Sequence, residues 1–403
     1  MSQMALPLFP NAPHSSAEGL ALAAGVTDAA AFDPAQSDAT GFEIGWDYAH
    51  HRLTPPADHL HGMHPVRQGW EAARAAFGAR TLKPTRAVRQ WLELRLQAWL
   101  QGVAVEGVMV TPRYLAQIDT LQCPVTREIL THGQDAPSDA VIMRLDLHAA
   151  VAAGHLVTVS RRVLQARGQA DAQAVAAIAQ RLRSENLPQL GGLDLAQWER
   201  LASLLSLAVS LPHAQLACRP LRVLPPNRVR LLNPVQALQA LMTQLFGGEA
   251  YARRMTALGT LMPDGDARRC YYLFMNAMLA RRLAVGWAAD RLRVRVTLED
   301  AWTHPVIQRR WEQLALRLRA TDCERIVRLA VQRGLAGPGL RWLDDDAATE
   351  GWLPQPPQPM LPPAGVARDL PPVPRDAASA VSLRRWRRVQ PLGTVEPAAA
   401  LAA

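Results

Sequence analysis

The apolar positions of this chain recur mostly at helical spacing. After Thr85, whose hydroxyl suits a helix N-cap, Val88, Trp91, Leu92, Leu96 and Trp99 share one face, and Gly102 closes the run. Trp70, Ala73 and Phe77 mark a shorter helix before it. Further on, Val175, Ile178 and Leu182 share a face, and Asp194 caps a stretch carrying Leu195, Trp198, Leu201, Leu205 and Val209. Pro234 suits the first turn of a helix with Leu238, Leu241, Met242 and Leu245, closed by Gly247 and Gly248. The spacing predicts further helices over 266–286, 305–319 and 322–333. Large aromatics at this period, such as Trp91, Trp99, Trp198 and Trp311, belong to packed faces.

Two stretches break the helical period. Between 108 and 170, turn residues at Gly133, Pro137 and Gly154 separate short apolar runs, Val141–Ile142 and Leu156–Val159, which read as strands. The stretch Arg291–Val296 alternates arginine with apolar residues and also reads as a short strand. The expected fold is therefore mainly α, with helical segments flanking a small β-hairpin and helix. Its segments are a mobile, Ala/Pro/Ser-rich 1–40, a helical 41–110, the hairpin-containing 111–170, a helical 171–335 and a Pro-rich 336–403.

Composition narrows the function classes. Hydrophobic residues make up 49% and charged residues 20%, enough apolar surface for a sizeable core and too little charge for a disordered chain. No apolar run reaches the roughly 18 residues a membrane span needs, and the first residues lack the basic start and apolar stretch of a signal peptide. Cys123, Cys218, Cys270 and Cys323 are scattered, with no C-x-x-C pair, so they read as reduced thiols of a cytoplasmic protein. There is no Gly-rich phosphate loop, G-x-S-x-G or dinucleotide fingerprint. Lys and Arg total 44 against 35 acidic residues, a net charge of +9. Lys83 is the only lysine, so the surplus is carried by arginine, whose planar fork matches phosphate.

The most informative stretch begins Cys123-Pro124-Val125-Thr126. It continues through Ile142-Met143-Arg144-Leu145-Asp146, then Gly154-His155 and Ser160-Arg161-Arg162, to Arg167. It resembles the HNH (His-Me finger) endonucleases of the phage type, whose pattern runs C-P-x-T-G, S-I-D-R-I-D, K-G-Y-x-x-G-N and V-I-S-x-R-A-N-x-x-K. Arg144, Asp146, Gly154, Ser160 and Arg162 match the pattern, and Arg167 stands for its lysine. The resemblance covers about an eighth of the chain and implies a β-hairpin followed by a helix around one divalent ion. The chain departs from it at Arg127 (Gly), Met143 (Asp), Ala150-Val151 (Gly-Tyr), His155 (Asn) and Leu164 (Asn). Met143 and Leu164 carry no oxygen for a hard cation.

The resemblance thus implies a decayed, non-catalytic module that binds nucleic acid through Arg144, Arg161, Arg162 and Arg167, with no cofactor. An active, Mg-dependent nuclease would instead need His132, His148 or His155 as base and Asp146 or Asp139 as ligand. The remaining alternative is a helical interaction or scaffold protein. Nucleic-acid binding puts Arg144, Arg162 and Arg167 on one exposed face; a scaffold pairs them with carboxylates; a nuclease puts Asp146 beside a histidine around an open cavity.

Two clusters complete the candidates. His59, His61 and His64, near His50, His51 and Asp58, have spacings that suit a Zn or Ni ion. Arg384, Arg385, Trp386, Arg387 and Arg388 form a short basic motif for nucleic acid or an acidic protein partner.

Overall fold

Helices dominate, as the apolar period predicts. The structure, a computed structural model, describes residues 34–286, 290–337 and 340–341. In chain order the helices are α1 Pro34–His50, α2 Pro65–Phe77, α3 Arg86–Leu100 and α4 Pro112–Ile118. Strands β1 Ala140–Arg144 and β2 Leu156–Ser160 follow. Then come α5 Arg161–Arg167, α6 Ala172–Glu185, α7 Leu195–Leu205, α8 His213–Ala217 and α9 Pro234–Gly247. The last are α10 Tyr251–Gly259, α11 Asp266–Ala284, α12 Arg291–Ala301, α13 Pro305–Ala315 and α14 Ala320–Gln332. No described helix is long and apolar enough to cross a membrane.

Local chemistry sets these boundaries. Thr85, Thr111 and Asp171 accept from backbone N–H groups of the first turns of α3, α4 and α6. Asp194 forms a full capping box with Gln197 at the start of α7. Helix α2 is started by Pro65 and by the His64 ring, which accepts from Val66 N–H. Helices α1 and α2 cross at two glycines. A Cβ built on Gly45 would lie 1.9 Å from the Val66 carbonyl oxygen, and one on Gly69 would lie 1.9 Å from that of Phe42.

Two expectations need correction. Residues 34–40, assigned to the mobile segment, are the first turns of α1. The stretch Arg291–Val296 is the first half of α12, not a strand. The Asp290 side chain caps it by accepting from Arg293 N–H at 2.6 Å, and Val294, Leu298 and Ala301 bury at helical spacing. The apparent alternation came from arginine at every second position, which in a helix distributes charge around the exposed side.

The hairpin is antiparallel, with Ala140 opposite Ser160 and Arg144 opposite Leu156. It lies between two apolar cores. Met143, Val157 and Val159 belong to the main core shared with α5–α14. Leu156 belongs to a second core with α4, Val110 and Val151, and Ile142 packs against it. All five β2 residues are buried, so Leu156-Val157-Thr158-Val159-Ser160 is a strand covered on both faces. Thr158 and Ser160 are its polar members, and the Thr158 hydroxyl donates to the Ile118 carbonyl at 3.0 Å. A third core holds Ile44, Tyr48, Val66, Val88, Leu92 and Leu96 of α1–α3.

Candidate functional site

The segment with chemical residues in family-like spacing is the hairpin and α5, so its side chains are followed one by one. The C-P-V-T loop closes as a tight turn, with Arg127 N–H donating to the Cys123 carbonyl (2.8 Å) and Cys123 N–H to that of Glu128 (2.9 Å). Arg127 occupies the left-handed region, φ 62°, at the position where the resembled pattern has glycine. Cys123 is buried, and Ser160 N–H points at its sulfur. That thiol belongs to the core.

The four candidate arginines do not form one exposed face. Arg167 is 3% exposed and donates to three carbonyls: Ala170 (3.0 Å), Leu145 (3.1 Å) and Arg144. Burial, then the Arg144 cation, push its pKa down to about 10. Arg144 donates to the Leu147 and Ala149 carbonyls and holds the loop between the strands. Its pKa is also lowered by burial, against the pull of Asp146. Arg161 pairs with Asp135 and Asp139, and Arg162 with Glu128 at 3.1 Å. Arg144 and Arg167 thus serve backbone carbonyls, and Arg161 and Arg162 have carboxylate neighbours. The cause is general: a guanidinium fork accepts any correctly placed oxygen, and the polar loop inside this fold needs donors.

Of the acidic and histidine candidates, Asp139 and His155 are buried and hydrogen-bonded. Buried Asp139 accepts from the Thr131 hydroxyl at 2.6 Å and from the N–H groups of Gln134 and Ala136. These bonds, Thr131 foremost, hold its carboxyl below the usual range despite desolvation. Asp146 accepts from His148 N–H at 2.9 Å, an ordinary local turn. His155 is buried against the Ala150 carbonyl, and burial lowers its pKa to about 4. His132 is exposed, with a pKa lowered by partial burial and Arg86. Asp146 and His148 do line a cleft of about 220 Å³, with Arg167, Asp171, Gln215 and Arg219 across it.

The histidine cluster is partly assembled. The His64 ring lies 5.1 Å from His59 and 5.5 Å from His61, centroid to centroid, and packs edge-on to Trp99. One His64 nitrogen is already used as the α2 cap. No group of three His, Cys, Asp or Glu among the described residues is placed to hold a metal ion. The Arg384–Arg388 motif lies outside the described residues.

Two features escaped the sequence reading. The first is a clamp between the C-P-V-T loop and α12. Arg127 makes a two-pronged contact with Asp300 (2.7 and 3.0 Å) and reaches buried Glu299 at 3.3 Å. Glu299 also accepts from Arg295 and from Leu224 N–H, each at 3.0 Å. Burial opposes the Arg127 cation, but Asp300 and Glu299 outweigh it and raise its pKa. Arg200 fastens the same loop by donating to the Val125 carbonyl at 2.6 Å. The partners lie 173 positions apart, and no spacing rule reports that.

The second feature is where the charge lies, which was countable in the sequence. Residues 251–335 hold 16 arginines against eight acidic residues, while the rest of the chain holds 28 basic and 27 acidic. Nearly all of the net charge therefore sits on α10–α14 and their connections. Among the described residues, Arg253, Arg269, Arg291, Arg293 and Arg309 are exposed there with no salt bridge. No protein-family model, curated protein or solved structure matches this chain.

Proposed function

We propose that this chain is a non-catalytic nucleic-acid-binding protein whose phosphate contacts come from the arginine-rich helices α10–α14. In this reading the hairpin and α5 are a decayed HNH-like module kept as the piece that joins two cores. The observation that carries it is the uneven charge: a surplus of eight arginines over carboxylates within 251–335, against a near balance elsewhere. Unpaired, solvated arginines repel one another and contribute nothing to folding, so such a concentration fits a polyanionic partner. The Arg384–Arg388 cluster with Trp386 would add a second basic element.

The runner-up is a helical interaction protein. It draws on Leu121 and Ile129, large apolar side chains exposed on either side of the Cys123 turn. The experiment that tests the first reading is a binding titration of the full chain against labelled duplex DNA, single-stranded DNA and RNA, between about 50 and 200 mM salt. The expected result is an affinity falling steeply with salt, by close to one log–log unit per neutralised phosphate. Absence of binding to all three at low salt overturns it in favour of the interaction protein.

A further inference from the structure

Three helix ends meet at one corner of the arginine-rich region, and a fourth helix packs beside them. The Arg282 Nε donates to the Phe246 carbonyl at 3.1 Å, and its guanidinium lies over the Tyr251 ring, 5.4 Å from the centroid. These contacts bring together the end of α9, the start of α10 and the end of α11. Helix α12 follows within a short connection, and a Cβ on Gly247 would touch the Leu298 side chain at 3.7 Å. Leu298 lies in the second half of α12, so that helix packs beside the end of α9, and the six residues between Ala284 and Arg291 tether its start to the end of α11.

The side chains this arrangement gathers are mostly basic. The last turn of α11 brings Arg281 and Arg282, the first turn of α12 brings Arg291 and Arg293, and α10 brings Arg253 and Arg254. Between 281 and 295 there are five arginines and one acidic residue, Asp290. That carboxylate is committed to capping α12 through Arg293 N–H. Of the carboxylates nearest in sequence, Glu249 is exposed, buried Glu299 is paired with Arg127 and Arg295, and Asp300 is paired with Arg127. Arg282 is held by its own contacts, whereas Arg253, Arg281, Arg291 and Arg293 have no salt bridge among the described residues. The partial positive charges of the α10 and α12 N-termini are offset by the partial negative charges of the α9 and α11 C-termini, so the arginines carry the charge of the corner. Arg254 falls three residues after Tyr251, so it shares the face that Arg282 covers.

We infer that this four-helix corner is the phosphate-contacting edge of the protein, gripping the backbone of a nucleic acid without reading bases. The inference rests on the proposed function and narrows it to six named arginines on fixed helix ends. Charge complementarity selects the partner. Several clustered arginines, outnumbering the carboxylates near them, suit a chain of closely spaced phosphates, which returns more released counterions than a compact anion does.

The test compares two triple variants of the full chain, Arg281→Ala/Arg291→Ala/Arg293→Ala and Arg80→Ala/Arg89→Ala/Arg113→Ala. The second removes the same charge from exposed arginines far along the sequence, in the stretch from α2 to α4. All six positions are at least partly exposed, and circular dichroism is used to check that both variants fold. Each is titrated with labelled duplex DNA, single-stranded DNA and RNA across salt, with polyglutamate as competitor. The expected result is that the corner variant loses about two to three units of log–log salt slope, while the control keeps the parent slope within about half a unit. Equal losses in both variants overturn the corner and leave nucleic-acid binding standing. No binding by the parent chain overturns both. Efficient displacement by polyglutamate at matched charge overturns the phosphate assignment in favour of an acidic protein.

Discussion

Replacing Arg127 separates two opposing effects at one residue. The side chain bridges the C-P-V-T loop to Asp300 and Glu299, while its backbone sits at φ 62°, which costs any non-glycine residue about 1–2 kcal/mol. Arg127→Ala keeps the strained backbone and removes the clamp. Asp300 is 54% exposed, so its share is small, about 0.5 kcal/mol after solvent screening. Glu299 is 5% exposed, and losing one cation from a buried carboxylate costs about 3–5 kcal/mol when nothing replaces it. Here Arg295 and Leu224 N–H remain, which halves that cost to about 2 kcal/mol. The expected destabilisation of Arg127→Ala is therefore about 2.5 kcal/mol. Arg127→Gly loses the same contacts but relieves the strain, less the extra entropy of a free glycine, and should be milder by about 0.5–1 kcal/mol. Urea unfolding followed by tryptophan fluorescence reads the difference. At a slope of about 3 kcal/mol per molar urea, the alanine midpoint falls by about 0.8 M. An alanine variant within 0.2 M of the parent, or a glycine variant less stable than the alanine one, refutes the reasoning.

Further expectations concern other buried groups. Arg167→Lys keeps the charge but loses the fork that serves three carbonyls; it should cost about 2 kcal/mol, seen as a melting temperature lower by roughly 4–8 °C. His155, with its folded pKa near 4 against 6.5, binds its proton more readily when unfolded. Its contribution is complete above pH 6.5 and is lost as pH falls toward 4, by about 3 kcal/mol. A pH series of unfolding midpoints should show this fall, flattened in His155→Gln. Gly45→Ala drives a methyl into the Val66 carbonyl, so α1 and α2 must separate; limited proteolysis near 50–64 should accelerate at least tenfold.

The legible part of this chain was its local part. Thr85, Asp194 and Pro234 announced helix starts because capping acts over three or four residues. The hairpin strands showed through Val141–Ile142 and Leu156–Val159. Helix α12 was misread because arginine at 291, 293 and 295 imitates a strand until Leu298 is counted. The first turns of α1, residues 34–40, read as mobile because they show little apolar period, and the crossing of α1 with α2 depends on Gly45 and Gly69. The least legible feature was what each arginine binds. Arg144 and Arg167 were placed on a phosphate-binding face, yet both turn to carbonyls of the loop they brace. A guanidinium in sequence looks the same whether its oxygen belongs to phosphate, carboxylate or peptide. By contrast, the charge surplus of 251–335 is countable in the sequence, because net charge needs no knowledge of partners.

Hydrogen exchange of the full chain, with and without duplex DNA, tests the central claim most directly. The account predicts that DNA slows exchange at the end of α11 and the start of α12, around 281–295. The amides of β1, β2 and α5, which lie between two cores, should exchange slowly and should not change. New protection across 144–168, with none at 281–295, would contradict it and return the binding face to the hairpin.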